Sequence, residues 1–103
     1  MACDLIVASQ AARFGQPEAV LGVIAGWGGT WRLPRRVGVS RAKELFFTGK
    51  TLTAHEAAQI GLADFAGEPA EVDAYLAEFL TGLRRCSPLA VGQMRRSWIA
   101  ASR

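Results

Sequence analysis

The chain has 103 residues, with 12 Lys and Arg against 9 Asp and Glu, and half of its residues are apolar. This balance is typical of one globular domain and excludes an intrinsically disordered segment. The longest nearly apolar stretch, residues 19–29, has 11 residues, whereas a membrane-spanning helix needs about 20. We therefore expect a single compact domain that has no membrane partner.

The cysteines and the histidine give no sign of a disulfide framework or a metal centre. Cys3 and Cys86 stand alone, and His55 is the single histidine. These spacings match neither a C-x-x-C motif nor a Cys/His zinc site. We expect two buried, inert thiols, no metal, and no signal peptide, since no basic segment precedes an apolar one at the start. The expected location is the reducing cytoplasm.

The first part of the chain predicts short strands and tight turns. Residues 5–8 form a continuous apolar run that is typical of a buried strand, and residues 12–16 form a second extended segment. Pro17 ends that segment, because the residue before a proline avoids the helical region. Residues 22–29 contain four glycines, too many for a helix interior, so the next helix begins near residue 28.

The middle of the chain predicts three short helices. Gly38 ends the first helix, and Ser40 is expected to cap a second helix that Gly49 closes. Thr53 and Glu56 have the spacing of a capping box, in which each side chain binds the backbone amide of the other residue.

The last part of the chain predicts two longer helices. Gly61 ends the capped helix, and residues 62–66 are expected to form a strand before a turn at residues 67–69. From Glu71 onwards the apolar residues recur on one helical face. Ser87 and the proline after it predict the cap and first residue of a final helix that extends to about residue 101. The fold class is therefore α/β, with short strands first and a mostly helical second half.

Glu18 is the first candidate for chemistry. It follows a Gly-x-Pro strand end and precedes an apolar turn, which places its carboxyl against an apolar wall. Such an environment suits a general acid or base near neutral pH. The alternative is a surface carboxylate that caps the turn.

The turn Gly26-Trp27-Gly28-Gly29-Thr30 is the second candidate. Backbone amides at a glycine-rich turn before a helix can hold an anion, a water molecule or an oxyanion. The turn lacks the lysine of a Walker A loop and the third glycine of G-x-G-x-x-G, which argues against nucleotide binding by those routes. The alternative is a turn whose glycines let a helix and a strand approach closely.

A basic cluster is the third candidate. Its members are Arg32, Arg35, Arg36, Arg41 and Lys43. They could bind phosphates. However, few aromatic residues lie between them, and the sequence has no recognisable signature of a nucleic-acid-binding fold. We interpret the cluster as a solvated or partner-facing helical surface, with no nucleic-acid partner.

Several ordered motifs together resemble the enoyl-CoA hydratase/isomerase (crotonase) family. They are Cys3-Asp4-Leu5-Ile6-Val7-Ala8, Ala12-Arg13-Phe14-Gly15-Gln16-Pro17-Glu18, Leu21-Gly22-Val23-Ile24, Gly28-Gly29-Thr30-x-Arg32-Leu33-Pro34-Arg35-x-Val37-Gly38, Ala42-x-Glu44-Leu45-x-x-Thr48-Gly49, Ala54-x-Glu56-Ala57, Gly61-Leu62 and Ser87-Pro88-Leu89-Ala90. The resemblance implies a ββα spiral fold, of which residues 1–66 are the late core and residues 67–103 the start of the C-terminal helical region.

The same resemblance implies an activity and its residues. Glu18 matches the second of two catalytic glutamates, and Gly26 matches a glycine whose amide contacts the attacking water. Trp27 and Gly28 match the substrate wall. The implied substrate is an acyl-CoA thioester, whose double bond reacts through an enolate, and no separate cofactor is implied because coenzyme A is part of the substrate. The implied assembly is a trimer or hexamer.

Other parts of the family pattern are absent from this sequence. The Gly-Gly-x-x-Glu-Leu-Ala segment, which in the family supplies one oxyanion-hole amide and the first glutamate, does not occur in the chain. The resemblance therefore implies a piece of the enzyme, truncated at both ends, which is expected to be inactive alone. The alternative interpretation is a non-catalytic fragment that serves as an oligomerisation or partner-binding module.

Overall fold

A computed structural model describes residues 1–101 of the chain. The elements, in chain order, are β1 (Val7–Ser9), β2 (Arg13–Gly15), a 3₁₀ helix (Pro17–Leu21), α1 (Gly29–Val37), α2 (Val39–Thr48), β3 (Thr51–Thr53), α3 (Ala54–Gln59), β4 (Phe65–Gly67), α4 (Pro69–Arg84) and α5 (Pro88–Ala101). The chain divides into two compact units, one of residues 1–72 and one from residue 73 onwards. No helix among the described residues is long and apolar enough to cross a bilayer. The predicted α/β class, with short strands before helices, is confirmed.

The strands form two separate pairs. β1 runs parallel to β4, with Ala8 opposite Ala66, and β2 runs antiparallel to β3, with Phe14 opposite Leu52. The sequence did not predict β3, because three residues are too few for a period-two pattern to emerge. Pairing with β2 therefore accounts for its extended conformation.

Two predicted strands begin later than expected. β1 begins at Val7 rather than at residue 5, and β4 begins at Phe65 rather than at residue 62. Before β1, the Ile6 amide donates to a carboxylate oxygen of Asp64 at 2.7 Å, so this bond goes to a side chain rather than to a strand partner. Before β4, the amides of Leu62 and Ala63 donate to the Ala57 carbonyl at 2.9 and 3.1 Å. Those two bonds close the end of α3, and the strand can begin only at Phe65.

The expectation that Ser40 caps the second helix is wrong. α2 begins at Val39, and Ser40 lies inside its first turn. Gly38 is the residue between α1 and α2, with φ of +85° and its amide bonded to the Pro34 carbonyl at 2.8 Å. Because glycine reaches this positive φ without strain, the chain passes from one helix to the next through a single residue.

The capping box of α3 is confirmed. The Thr53 hydroxyl accepts a hydrogen bond from the Glu56 amide at 3.1 Å, and the Glu56 carboxylate accepts one from the Thr53 amide at 3.3 Å. The hydrogen bond from the Thr53 amide to the Glu56 carboxylate is the largest cause that lowers the pKa of Glu56.

Replacing Thr53 with Ala is expected to lower the free energy of unfolding by about 1 kcal/mol, because an N-terminal amide of α3 loses its acceptor. Urea denaturation of the chain measures this change. The matched control is Thr53→Ser, which keeps the hydroxyl and is expected to retain most of the stability. Equal losses in the two variants would contradict a role for the hydroxyl.

Helices α4 and α5 have well-defined starts. α4 begins at Pro69 rather than at Glu71, because the Glu71 carboxylate turns back to accept a hydrogen bond from the Glu68 amide at 3.0 Å. The predicted cap of α5 is confirmed, since the Ser87 hydroxyl accepts a hydrogen bond from the Ala90 amide at 3.2 Å.

The core of the first unit lies where α1, α2 and α3 meet the β2–β3 pair. Its buried members are Leu33, Ala42, Leu45, Leu52, Ala57, Leu62 and Ala63. Leu33 is the largest fully buried side chain, at 1% exposure. Alanines at several of these positions let the short helices approach closely, so α1 depends on Leu33 for most of its buried apolar surface.

The expectation of buried thiols is wrong, because Cys3 and Cys86 are both free and exposed. Cys3 precedes β1, outside the paired strand. Cys86 lies in the turn after α4, where its thiol contacts the Gly82 carbonyl at 3.5 Å. Neither position faces the core, despite the apolar character of the thiol.

Candidate functional site

Glu18 is placed by the junction between β2 and the 3₁₀ helix. Pairing with β3 holds β2 as far as Gly15, which lies opposite Thr51. Pro17 is the first residue of the 3₁₀ helix, and its ring fixes the direction in which the chain leaves the strand. Glu18 follows in the first turn, and its carbonyl accepts a hydrogen bond from the Val23 amide at 3.0 Å. The backbone around the carboxylate is therefore held on both sides.

The half-buried Glu18 borders a cleft of about 210 Å³. The residues that line this cleft are Gln16, Glu18, Ala19, Val23, Ile24, Ala25, Thr30, Phe46 and Phe47. Of these lining residues, Glu18 alone carries an ionisable side chain. The arrangement matches the sequence-based expectation of a carboxyl beside an apolar wall, and a carboxylate so placed can transfer a proton to or from a bound molecule.

The side chain of Gln16 contacts the Glu18 carboxylate. With its amide oriented so that the nitrogen faces Glu18, the nitrogen lies 3.2 and 3.1 Å from the two carboxylate oxygens. In that orientation the amide nitrogen donates to both carboxylate oxygens.

The glycine-rich turn lies beside the cleft, and its two ends line it. Ala25 and Thr30 are lining residues, and the Thr30 hydroxyl donates to the Ala25 carbonyl at 2.7 Å. Gly26, Trp27 and Gly28, the candidates from the sequence, lie between them and are not among the lining residues. Thr30 thus closes the turn across its base.

Trp27 has an unusual backbone conformation and full exposure. Its φ is +53°, and its side chain is 100% exposed. A bulky residue in the left-handed region stores about 1–3 kcal/mol of strain. The Arg32 guanidinium donates to the Trp27 carbonyl at 2.9 Å and holds this conformation. Strain of this kind is concentrated at functional sites, which keeps Trp27 a candidate.

Some backbone amides in and after the turn already donate hydrogen bonds to carbonyls of the turn. The Gly29 amide donates to the Gly26 carbonyl at 2.9 Å, and the Arg32 amide donates to the Gly28 carbonyl at 2.8 Å. The first of these bonds removes one amide from the set that was expected to hold an anion or water.

The basic cluster separates into inward and outward members. Arg36 turns inward and binds the Asp64 carboxylate at 2.9 Å, with its side chain 16% exposed. The guanidinium groups of Arg32 and Arg35 lie 4.6 and 4.7 Å from the centre of the Trp31 ring, within the range of cation–π attraction. The prediction of a surface cluster therefore fails for Arg36, which ties α1 to the segment before β4.

A second cleft, of about 220 Å³, lies between α2 and α3. It contains a charged chain in which Glu44 binds Lys50 at 2.8 Å and Arg41 at 3.6 Å. The Lys50 ammonium, by its hydrogen bond and then by its charge, lowers the pKa of Glu44. Arg41, Glu44 and Lys50 pair with one another, which is typical of a structural network rather than of a catalytic group. Glu56, which also lines this cleft, belongs to the capping box of α3.

Within the described part of the chain, no three His, Cys, Asp or Glu side chains converge as metal ligands. His55 is exposed at the start of α3 and lies 3.4 Å from the Gln59 amide nitrogen. It is remote in sequence from Glu18 and does not line its cleft.

Gly49 seats the 3₁₀ helix against the end of α2. Its φ is +64°, and a Cβ built there would lie 2.7 Å from a methyl carbon of Val20. Both features require glycine, because the contact is shorter than any real Cβ contact and L-residues resist this φ. Gly49 thus sets how closely the helix that carries Glu18 approaches α2.

Replacing Gly49 with Ala is expected to lower the free energy of unfolding by more than the 1–2 kcal/mol or so that the left-handed backbone alone costs. Urea denaturation measures this loss. The double variant Gly49→Ala with Val20→Ala removes the clash and is expected to recover only the steric part. Simple additivity of the two changes would contradict the contact.

Several residues that line the Glu18 cleft were not predicted from the sequence. Gln16 was named only as part of the segment that leads to Glu18, with no role of its own. Phe46 and Phe47 come from α2, about 30 residues further along the chain. No local sequence pattern predicts that these side chains lie at the same cleft as Glu18.

The chain is similar to several known proteins. A family model described as enoyl-CoA hydratase/isomerase matches residues 1–103. A short-chain-enoyl-CoA hydratase of Clostridioides difficile is 55% identical over 69 residues, covering 67% of this chain and 44% of that protein. A short-chain-enoyl-CoA hydratase of Clostridium acetobutylicum is 45% identical over 91 residues, covering 88% of this chain and 35% of that protein. The chain thus spans less than half the length of these relatives.

A solved structure shows the same fold. The enoyl-CoA hydratase of Bacillus anthracis superposes with a TM-score of 0.81 at 40% sequence identity, covering 87% of this chain and 35% of that one. The family model, the relatives and the fold all point the same way, and the chain belongs to the enoyl-CoA hydratase/isomerase family.

Proposed function

We propose that the complete protein acts on the carbon–carbon double bond of an acyl-CoA thioester, with Glu18 as general acid/base. The observation that carries this proposal is the half-buried carboxylate of Glu18 beside a cleft whose other lining side chains are uncharged. Such a cleft suits an acyl chain, which needs apolar surroundings, and a carboxylate at its wall can exchange protons with the reacting carbons.

In the hydration reaction, water adds across the double bond. The water oxygen bonds to the β-carbon, one proton of the water leaves, and one proton bonds to the α-carbon as the thioester enolate collapses. A carboxylate can take a proton from water, and a protonated carboxyl can deliver one to carbon; both steps need the group within hydrogen-bond reach of the reacting atoms. In this proposal Gly26 contacts the water through its amide, and Trp27 and Gly28 border the substrate.

The remaining parts of the proposal concern the whole protein. The oxyanion-hole amides and the first glutamate belong to segments outside this sequence, so the chain alone is inactive. One oxyanion-hole donor is worth about 10²–10³ in rate. No cofactor beyond the coenzyme A of the substrate is required. The protein assembles as a homo-oligomer, a trimer or hexamer, in the cytoplasm.

A chimera tests this proposal. The chain replaces the matching segment of the C. acetobutylicum short-chain-enoyl-CoA hydratase, to which it is 45% identical. The loss of enoyl absorbance measures the hydration of crotonyl-CoA. We expect activity well above that of the same host protein without the segment. A folded chimera with no activity, or an isolated chain with full activity, would contradict the proposal.

A second candidate function is that of a partner-binding or oligomerisation module without catalysis. The observation that favours it is the exposure of apolar side chains beside the cleft, since Leu21, Ile24 and Trp27 are 75, 86 and 100% exposed. Exposed apolar groups of this kind mark interaction sites. Native mass spectrometry of the chain tests it, and a stable monomer that binds nothing would exclude self-association.

A further inference from the structure

We propose that Trp31 is a positioning residue that holds the glycine-rich turn in place by ordering the side chain of Arg32. Its catalytic meaning rests on the proposed function, whereas the contacts themselves do not. The guanidinium carbon of Arg32 lies 4.6 Å from the centre of the Trp31 ring, and that of Arg35 lies 4.7 Å from it. The Arg32 guanidinium also donates to the Trp27 carbonyl at 2.9 Å. Arg32 thus connects the Trp31 ring to the turn.

The backbone of the turn has a conformation that its sequence does not favour. The Gly29 amide donates to the Gly26 carbonyl at 2.9 Å. The two residues between them, Trp27 and Gly28, have φ of +53° and +79°. Positive φ at both central residues is typical of a type I′ turn, in which glycine, asparagine and aspartate are favoured. Tryptophan is strained there because its Cβ crowds the backbone, so the turn depends on contacts from outside it.

The Arg32 side chain is packed directly against the turn. A Cβ built on Gly28 would lie 3.1 to 3.2 Å from three atoms of the Arg32 guanidinium. The absence of a side chain at Gly28 therefore lets the guanidinium lie on the turn backbone and reach the Trp27 carbonyl. The Arg32 backbone amide donates to the Gly28 carbonyl at 2.8 Å. Both the backbone and the side chain of Arg32 therefore bind the turn.

The Trp31 ring keeps Arg32 at the turn. An arginine side chain has many rotamers, and one hydrogen bond to a carbonyl competes with water for its guanidinium. A planar guanidinium stacks on an aromatic face, and the indole face attracts cations more strongly than the other aromatic rings do. The Trp31 ring thus offsets the cost of ordering Arg32, which remains where it can bind the Trp27 carbonyl.

The turn that Trp31 supports carries amides that are available to a bound molecule. Within the part of the chain that the structure describes, nothing accepts a hydrogen bond from the amides of residues 26–28. The two ends of the turn line the cleft beside Glu18, and Trp31 does not. In the proposed function the Gly26 amide contacts the attacking water, so a movement of the turn would displace that amide. Trp31 therefore acts on the site through Arg32, without touching the substrate.

A merely structural role for Trp31 predicts different behaviour. If its ring only covered the surface of α1, the effects of Trp31→Leu and Arg32→Met on kcat would be independent and would multiply. The positioning role predicts instead that Trp31→Leu has little further effect once Arg32 is replaced, because the ring then has no contact with the turn to maintain.

Nuclear magnetic resonance of the 15N- and 13C-labelled chain tests the contacts directly. We expect the ring current of Trp31 to displace the side-chain Nε–H signal of Arg32, which moves in Trp31→Leu to the position of an exposed arginine such as Arg85. The Cα and Cβ chemical shifts of Trp27, which report its positive φ, are expected to move in the same variant. The matched control Trp98→Leu removes an indole of α5 that is 76% exposed and is expected to leave these signals unchanged. Arg32 and Trp27 signals that ignore Trp31→Leu would overturn the proposal.

The chimera gives the catalytic arm of the test. We expect Trp31→Leu to lower kcat for crotonyl-CoA hydration by about 3- to 10-fold with a small change in KM, because misplacement of a group costs rate more than substrate binding. Arg32→Met also removes the hydrogen bond and is expected to lower kcat by about 10- to 100-fold. Trp31→Phe keeps an aromatic face and is expected to retain more activity than Trp31→Leu. An equal loss from Trp31→Leu in the parent and in Arg32→Met would overturn the role through Arg32.

The two arms separate the failure of this proposal from that of the proposed function. If the Arg32 and Trp27 signals respond to Trp31→Leu and the parent chimera is inactive, the role of Trp31 in holding the turn stands and the proposed function fails. If the parent chimera is active and depends on Glu18, but Trp31→Leu is fully active, the function stands and the positioning role fails.

Discussion

Replacing Glu18 with Gln is expected to lower kcat for crotonyl-CoA hydration by the chimera by about 10²- to 10⁴-fold, the usual contribution of a general acid or base. The amide keeps the size and much of the polarity of the carboxyl but cannot exchange a proton. KM is expected to change little, because the proposed role of Glu18 is to exchange protons with the reacting atoms rather than to bind the rest of the thioester. Steady-state kinetics over a range of crotonyl-CoA concentrations measure both constants.

The control for this prediction is Glu78→Gln, which makes the same chemical change at an exposed position of α4. We expect it to leave kcat and KM unchanged. A chimera that keeps full turnover with Glu18→Gln would exclude Glu18 as the general acid/base, whatever the family of the chain. A loss of turnover that accompanies a loss of folding, seen by circular dichroism, would show a structural role instead.

The local features of the fold were predictable because they depend on neighbouring residues. The capping box of Thr53 and Glu56 needs two side chains three residues apart, and its two hydrogen bonds were expected from that spacing alone. The helix end at Gly49 follows from the conformational freedom of glycine.

The features that were missed depend on residues far apart in the chain. β3 is a strand because β2 lies beside it, and the late start of β1 reflects the bond between the Ile6 amide and the Asp64 carboxylate. Arg36 lies in a sequence of solvent-facing cations, yet the same Asp64 draws it inward. A charge pattern along a helix cannot reveal a carboxylate 28 residues away.

The candidate site also combines features that local sequence predicts with features that depend on distant residues. Glu18 could be chosen from the sequence because the strand end and the following apolar turn place it locally. The packing of Gly29 against the Gln16 amide joins the start of another helix to this strand end. Glu18 was therefore predictable as a candidate from local sequence, whereas this packing was not.

Replacing Leu33 with Ala is expected to be the most damaging single change to the first unit, with a loss of about 2–5 kcal/mol in the free energy of unfolding. Leu33 is 1% exposed in the core between α1, α2 and the β2–β3 pair. It also lines a partly open cleft of about 50 Å³, next to the space that its methyl groups would vacate. How far the neighbouring side chains collapse into that space decides the loss within this range.

Urea denaturation measures this loss, and the matched control is Leu21→Ala. Leu21 is 75% exposed on the 3₁₀ helix, so its truncation is expected to change the stability by less than about 0.5 kcal/mol. Leu33 further links stability to the site, because α1 begins at Gly29, against which Gln16 packs. Equal losses of stability in Leu33→Ala and Leu21→Ala would contradict a central role for Leu33 in this core.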